Sequence, residues 1–163
     1  METLRLTSPD FEAGGWIPRR FTARGEDRSP SFRLEGIVPG AESLALMLED
    51  ASHPIFPDFP HWVIWNLPVT EEIPGGIPAG ERVAALDGAV QGAAYGRHRY
   101  KGPKPPLRTI HNYRFTAFVL DAPCDLPPSA GKRELLAWME GHLLQKAELM
   151  GEFQSRRAEK ISR

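Results

Sequence analysis

Short apolar runs, separated by turn-forming residues, dominate the first two thirds of the chain. Ser43–Asp50 and His61–Leu67 are almost continuously apolar over the length of a strand, a pattern that favours strands covered on both faces. Tyr113–Leu120 has the alternation of a third strand. Leu4–Leu6 and Phe32–Leu34 are shorter and are spaced like edge strands. The pattern predicts a mainly β fold.

A long segment, Glu71–Ile110, separates the second and third of these strands and shows little strand or helix periodicity. A loop of this length inside a domain is usually functional, or contains an element that periodicity does not reveal. Within it, Tyr95–Pro106 is basic, which favours either a loop that guides an anion toward a pocket or a solvated surface loop. Its basic side chains are Arg97, His98, Arg99, Lys101 and Lys104.

The last part of the chain has a helical period. Ser129 is a candidate N-cap, and Gly141 interrupts the periodic region. One helix and two helices meeting near Gly141 are therefore both open. The predicted apolar face consists of Leu135, Leu136, Met139, Leu143, Leu144, Ala147 and Met150. The expected architecture is a β-sandwich with C-terminal helices packed on one side.

Composition agrees with one soluble domain. The chain has 163 residues, is 41% hydrophobic and carries a net charge of −1. This balance gives little support to nucleic-acid or anionic-membrane binding. No apolar run reaches the length of a transmembrane helix. Residues 1–153 are predicted to form the domain, and 154–163 a flexible basic tail.

Cysteine usage and the N-terminal sequence favour the cytoplasm. Cys124 is the only cysteine, so no intrachain disulfide is expected. The N-terminal sequence METLRLTSPDFEAGG lacks the apolar core of a signal peptide.

Polar residues at the strand ends are candidates for a binding site. Asp50 ends the first long strand, His61 begins the second, and His111 precedes the third. If these ends share one edge of the sandwich, a carboxylate and two imidazoles converge there. Imidazoles and the phenol of Tyr113 can donate hydrogen bonds to a phosphate-like oxyanion. Gly102 lets such a group approach backbone N–H groups closely.

From Leu4 to about Phe153 the chain resembles the phosphatidylethanolamine-binding protein family, in particular its prokaryotic Raf-kinase-inhibitor-like branch. The resemblance implies a β-sandwich of a large antiparallel sheet and a smaller sheet, with peripheral helices. The motifs that carry it are LTSPDFEAGGWIPRRFTARGEDRSPSFRL, SLALMLED with HWVIWN, YGRHRYKGPKPP before His111 and Tyr113, and GHLLQKAELMGEF, which is similar to the family's C-terminal helix.

The resemblance also implies a small pocket near the end of the large sheet that binds anions such as phosphate groups. Pro54 matches a position that the family often holds in cis, which implies a rigid turn in the pocket wall. The pocket residues implied here are Asp50, Pro54, His61, Gly102, Pro105, Pro106, His111 and Tyr113.

Four positions depart from the family pattern. Ser52 replaces an Asp and Asn112 replaces an Arg, so a charged pair is lost as a pair. Losing one partner of a buried pair costs roughly 3–5 kcal/mol, whereas losing both can be nearly neutral. Arg108 stands where relatives have Gly, and Lys104 where they often have a small residue. These cations either tighten anion binding or block the mouth of the pocket.

The function predicted first is a non-catalytic, regulatory protein that binds a small anionic or phosphorylated ligand and needs no cofactor. A phosphorylated protein is a further candidate partner, because relatives in animals and plants regulate signalling proteins. Neither nucleic-acid binding nor integral membrane association is expected, and the oligomeric state stays open.

Two alternatives use the same neighbourhood. Ser52, His61 and Asp50 supply the residue types of a serine hydrolase, although no G-x-S-x-G elbow is present. Imidazoles together with Asp50 can also hold zinc, but their spacing matches no standard ligand pattern. The histidines weighed for this role are His53, His61, His98 and His111.

Overall fold

A computed structural model describes residues 3–155, which form two antiparallel sheets and one α-helix. Short 3-10 turns lie at Arg19–Phe21 and Ala84–Leu86. The strands are β1 (Arg5–Thr7), β2 (Phe32–Glu35), β3 (Ser43–Asp50), β4 (Phe59–Leu67), β5 (Glu72–Ile73), β6 (Arg82–Val83), β7 (Ala89–Gln91), β8 (Ile110–Leu120) and β9 (Leu143–Gln154), and the helix is α1 (Lys132–Met139).

The larger sheet has the strand order β6-β7-β4-β3-β8-β9, and the smaller sheet has the order β1-β2-β5. The mainly β fold with a large and a small antiparallel sheet, expected from the sequence, is confirmed. The five strands predicted from apolar runs correspond to β1, β2, β3, β4 and β8.

The central strand β3 is buried along its whole length. Leu44, Leu46 and Leu48 face the core between the two sheets, whereas Ala45 and Met47 face the core beneath α1. Burial on both faces explains why this strand is continuously apolar instead of alternating.

Within the described residues the C-terminal region contains one helix, which ends before Gly141, so the helical structure expected beyond Gly141 is wrong. Residues 143–154 form β9, which pairs with β8 from Ile110 to Leu120. In β9, Leu149 and Phe153 are buried on the core side, a period of two that the helical spacing of the neighbouring leucines concealed. The N-cap is Gly131, not Ser129, and its N–H donates to the Glu134 carboxylate.

Two further segments differ from their predictions. Glu71–Ile110 contains the short strands β5, β6 and β7, each too short to produce a periodic signal. The predicted tail begins inside the fold: Gln154 ends β9, and Ser155 is buried and bridges to Leu107. The rest of that tail, residues 156–163, lies outside the described residues. None of the described helices is long and apolar enough to cross a membrane.

A close approach at Gly92 gives a test of this packing. A Cβ atom there would lie 2.5 Å from Cη2 of Trp65 and 2.6 Å from the Ala130 carbonyl oxygen. We expect Gly92→Ala to lower the free energy of unfolding by about 1–3 kcal/mol, because overpacking forces buried groups apart. Gly141→Ala is the control, since a Cβ there meets nothing within 4 Å. Equal urea midpoints for the two variants would contradict the packing described.

Candidate functional site

The pairing of β3 with β8 brings Asp50 and His111 together. In this register Asp50 lies opposite Tyr113, close to the start of β8. Oδ2 of Asp50 is 2.8 Å from Nδ1 of His111, and both side chains are buried. Because an ionised carboxylate only accepts hydrogen bonds, Nδ1 carries the proton. Nε2 of the neutral ring is then an acceptor.

His61 owes its orientation to a β-bulge at the start of β4. Leu48 pairs with Trp62 and Glu49 pairs with Pro60, so His61 is the extra residue between them. Such a bulge re-aims a side chain and is common beside functional sites.

The His61 ring is held by two backbone carbonyls. Its Nδ1 is 2.9 Å from the carbonyl oxygen of Lys101 and 3.2 Å from that of Gly102. Burial lowers the pKa of His61 below its ordinary value of 6.5, although the Lys101 carbonyl and the Asp50 charge oppose the shift. The ring is therefore neutral near pH 7, with its proton on Nδ1 and Nε2 as an acceptor.

Tyr113 lies between the two imidazoles. Its ring centroid is 5.7 Å from that of His61 and 6.3 Å from that of His111. The side chain is fully buried, yet its hydroxyl makes no hydrogen bond of ordinary geometry with the described residues. Burial and then the charge of Asp50 raise the pKa of Tyr113, and the Lys104 backbone opposes this less strongly. The site therefore contains a neutral hydroxyl with an unused donor.

Gly102 has a structural role that the sequence did not reveal. Its N–H donates to Oδ1 of Asp27 at 2.7 Å, and Arg99 pairs with the other oxygen of that carboxylate. A Cβ at Gly102 would lie 2.9 Å from Cα of Thr22. The sequence suggested that a glycine here lets an anion approach backbone N–H groups, but the N–H of Gly102 itself is engaged by Asp27. Gly102 permits close packing, and its carbonyl faces His61.

The three prolines predicted for the pocket make no hydrogen bond to the cluster of Asp50, His61, His111 and Tyr113. Pro54 is exposed in the β3–β4 loop, and its peptide bond is trans, so the expected cis turn is wrong. Pro105 is buried, and its carbonyl accepts a hydrogen bond from Arg24. Pro106 is exposed, and its carbonyl accepts from Thr109.

Aromatic side chains beside His61 were not among the predicted site residues. We call His53, Phe56, Phe59 and Tyr95 the aromatic rim. Tyr95 lies edge-on to His61 with ring centroids 4.9 Å apart, and Phe59 contacts both Tyr95 and His53. The sequence signal was a tyrosine at the start of the basic loop, but its left-handed backbone (φ 55°) cannot be read from composition.

The basic loop contributes less charge to the site than the sequence suggested. Arg99 is paired with Asp27, and His98 bonds the Gln91 carbonyl. Lys101 approaches the site, with Nζ 5.4 Å from the Tyr95 ring centroid, and burial lowers the pKa of its ammonium group.

Ser52 and Asn112 are neighbours, as the paired substitution suggested, but they are not buried. Asn112 is exposed, and its backbone N–H donates to Oγ of Ser52 at 2.9 Å. The N–H of Ser52 in turn donates to Asp50. A charged pair here would be a surface pair worth about 0–1 kcal/mol, so the cost expected for a buried pair does not apply.

The two added cations lie on exposed segments. Lys104 and Arg108 are both exposed. Arg108 adopts φ 70°, which explains why a glycine suits this position. Its backbone N–H bonds to the Ser155 carbonyl, and its own carbonyl accepts from Gln154.

A buried ion network supports the site from the opposite face of the sheet. The Glu49 carboxylate, 5% exposed, pairs with Lys132 of α1 and with Arg114 of β8. Both cations also reach Asp58: Arg114 contacts its carboxylate and Lys132 its carbonyl. The β3–β4 loop is therefore tied to the residue that precedes Asp50.

The histidines weighed as metal ligands do not converge. Residues 3–155 contain no group of three or more His, Cys, Asp or Glu side chains arranged to hold a metal ion. His53 accepts hydrogen bonds from backbone N–H groups of its own loop, and His98 lies against Gln91.

Comparison with known sequences assigns the family. A model of the phosphatidylethanolamine-binding protein family matches residues 7–154. A UPF0098 protein of Pyrococcus abyssi is 40% identical over 152 residues, which cover 92% of this chain and 85% of that protein. A UPF0098 protein of Methanothermobacter thermautotrophicus is 38% identical, with 91% and 97% covered. The chain belongs to the phosphatidylethanolamine-binding protein family.

Solved structures agree with this assignment. A phosphatidylethanolamine-binding protein homologue from Chlamydia trachomatis superimposes with a TM-score of 0.83 at 31% identity, over 95% of this chain and 99% of that one. YBCL of Escherichia coli gives a TM-score of 0.82 over 93% and 98%, but at 21% identity the likeness concerns the fold alone.

The lowered pKa of His61 predicts a pH dependence of stability. The unfolded chain binds a proton at His61 below about pH 6.5 more readily than the folded protein does, so stability present above that pH is lost on acidification. We expect His61→Asn to lose less unfolding free energy than the wild type between about pH 7.5 and 5.5. Urea unfolding at both pH values measures this. Equal losses in the two proteins would show that His61 does not contribute.

Proposed function

We propose that this protein binds a small phosphate-type anion at the site formed by Asp50, His61, His111 and Tyr113. The observation that carries the proposal is the buried Tyr113 hydroxyl, whose proton meets no acceptor of ordinary hydrogen-bond geometry within residues 3–155. Buried polar groups are rarely left unsatisfied, and those that are call for a missing ion, water or ligand. An oxyanion accepts a hydrogen bond from such a hydroxyl.

The two imidazoles add a condition on protonation. In both rings the Nδ1–H group donates a hydrogen bond within the protein, to the Lys101 carbonyl from His61 and to the Asp50 carboxylate from His111. In a neutral ring of this tautomer, Nε2 carries a lone pair and only accepts. An anion bonds there only when a proton is present, either on the imidazole or on the anion itself. Asp50 beside His111 offsets the charge of an imidazolium, which makes proton uptake by the protein feasible.

We further propose that binding is regulatory and not catalytic. In support, the hydrogen-bond partner of the Ser52 hydroxyl in the described structure is the Asn112 backbone N–H, not an imidazole. A nucleophilic serine requires a hydrogen bond to its base. Labelling of Ser52 by a serine-directed phosphonate probe would contradict this proposal.

The ligand class is a free or esterified phosphate, including a phosphorylated side chain of a partner protein, and neither nucleic acid nor a bilayer is required. The cytoplasm is the proposed place of action. In support, Cys124 is buried and unpaired, as suits a reducing compartment.

Ligand-induced stabilisation tests the site. Phosphate, phosphoserine and phosphoethanolamine at constant ionic strength should each be tried, and a ligand at 100 times its Kd stabilises the folded state by about 2.7 kcal/mol. We expect Tyr113→Phe to be at least as stable as the wild type, since it removes an unsatisfied buried group. The same variant should lose much of the ligand-induced shift.

Tyr100→Phe is the matched control for that measurement. Its buried hydroxyl donates to the Phe21 carbonyl, so the variant should lose about 1–3 kcal/mol of stability and keep the ligand-induced shift. A shift that is the same in Tyr113→Phe and wild type would overturn the proposed site, as would no shift with any of the three ligands.

The protonation condition predicts that binding takes up protons. Sulfate carries no proton near neutral pH and bonds to Nε2 only with a proton that the protein takes up, so its affinity should fall as the pH rises from about 6 to about 8. Calorimetry in two buffers of different ionisation enthalpy measures the uptake directly. A sulfate affinity independent of pH would show that the imidazoles do not accept protons on binding.

A further inference from the structure

The outer edge of β9 is the part of the large sheet that the fold leaves open. Towards its C-terminal end the edge is closed, because the Met150 carbonyl accepts from Gly14 and the Glu152 backbone bonds to Gly15 and Ile17. These contacts show that even-numbered residues of β9 direct their backbone groups outward. Lys146 and Glu148 therefore present N–H and C=O groups outward, and no other described segment pairs with them.

The side chains on this edge carry opposite charges. Lys146 and Glu148 are both exposed. Lys146 forms no ion pair with the described part of the chain, and Glu148 has one long contact, 3.9 Å, with Arg114. Lysine and glutamate commonly protect an edge strand from non-specific pairing. Opposite charges two residues apart, however, lie opposite each other when two copies of the strand pair antiparallel about the residue between them.

We propose that the segment 145–149 of β9 pairs antiparallel with the same segment of a second copy of this chain, about a two-fold axis at Ala147. In this register each Lys146 lies opposite Glu148 of the second copy, and opposite charges placed so attract. An axis at Lys146 places lysine opposite lysine, and an axis at Glu148 places glutamate opposite glutamate. Charge therefore selects one register.

Two other features fit a second copy at this edge. The paired segment ends where the Gly14 contact closes the edge at Met150, so the closed part of the edge does not obstruct a second copy there. On the flank of the edge, Leu136, Leu143 and Leu144 are 40–44% exposed. Leu136, Leu143 and Lys146 also line a cleft of about 420 Å³ beside α1. Clustered exposed apolar side chains mark interaction surfaces, and the two-fold pairing brings a second such flank beside the first.

Reciprocal charge reversal tests the pairing. Sedimentation equilibrium of the full chain should show a monomer–dimer equilibrium for the wild type. Lys146→Glu places glutamate opposite glutamate at both contacts, and Glu148→Lys places lysine opposite lysine, so each variant alone should dimerise at least tenfold more weakly. An equimolar mixture of the two should dimerise again, because every contact between them is then attractive.

The control is the double variant Lys146→Glu/Glu148→Lys, which should recover the wild-type association. Lys146→Glu alone keeps the test valid if changes at Glu148 disturb Arg114, and thermal unfolding of each variant verifies its fold. A wild type that is monomeric at every concentration overturns the proposal. Single variants that dimerise as the wild type does would also overturn it, because the contact would then lie on another face.

Discussion

Burial of β3 on both faces is the constraint on which the rest of the structure depends. The strand lies between β4 and β8, and its apolar residues supply both cores. At its end two successive carboxylates, Glu49 and Asp50, remain buried. Isolated buried charges are strongly unfavourable, so each must be satisfied by its surroundings. Glu49 meets two cations, and Asp50 meets an imidazole and a backbone amide. The candidate site around Asp50 and the ion network around Glu49 both solve the same problem, which is the desolvation of a buried carboxylate.

The strands predicted best from the sequence are those whose structure is determined by burial alone. Continuous apolar runs identified β3 and β4, because burial on both faces leaves no polar positions. Strand β9 was missed because its leucines also fit a helix, and pairing with β8 decides between the two. The short strands of 71–110 were missed because two or three residues give no period.

The candidate site was partly predictable for a similar reason. Asp50, His61 and His111 were placed together from strand ends, and the structure brings them together. The hydrogen bonds that fix each ring depend on the carbonyls of Lys101 and Gly102, which no side-chain pattern reports. The commitment of the Gly102 N–H to Asp27 is also a matter of backbone geometry. Residue types indicate which chemistry is available, whereas the backbone determines which donors remain free.

The left-handed residues near the site have a consequence for how this protein can be changed. Among the described non-glycine residues with positive φ, four are Asp or Asn, which adopt it readily, and the others are Tyr95 and Arg108. Glycine at either position would relieve conformational strain of order 1 kcal/mol. It would also remove an aromatic ring from beside His61, or an exposed positive charge at position 108. Selection for thermostability alone would thus favour loss of Tyr95, the ring of the aromatic rim that lies edge-on to His61.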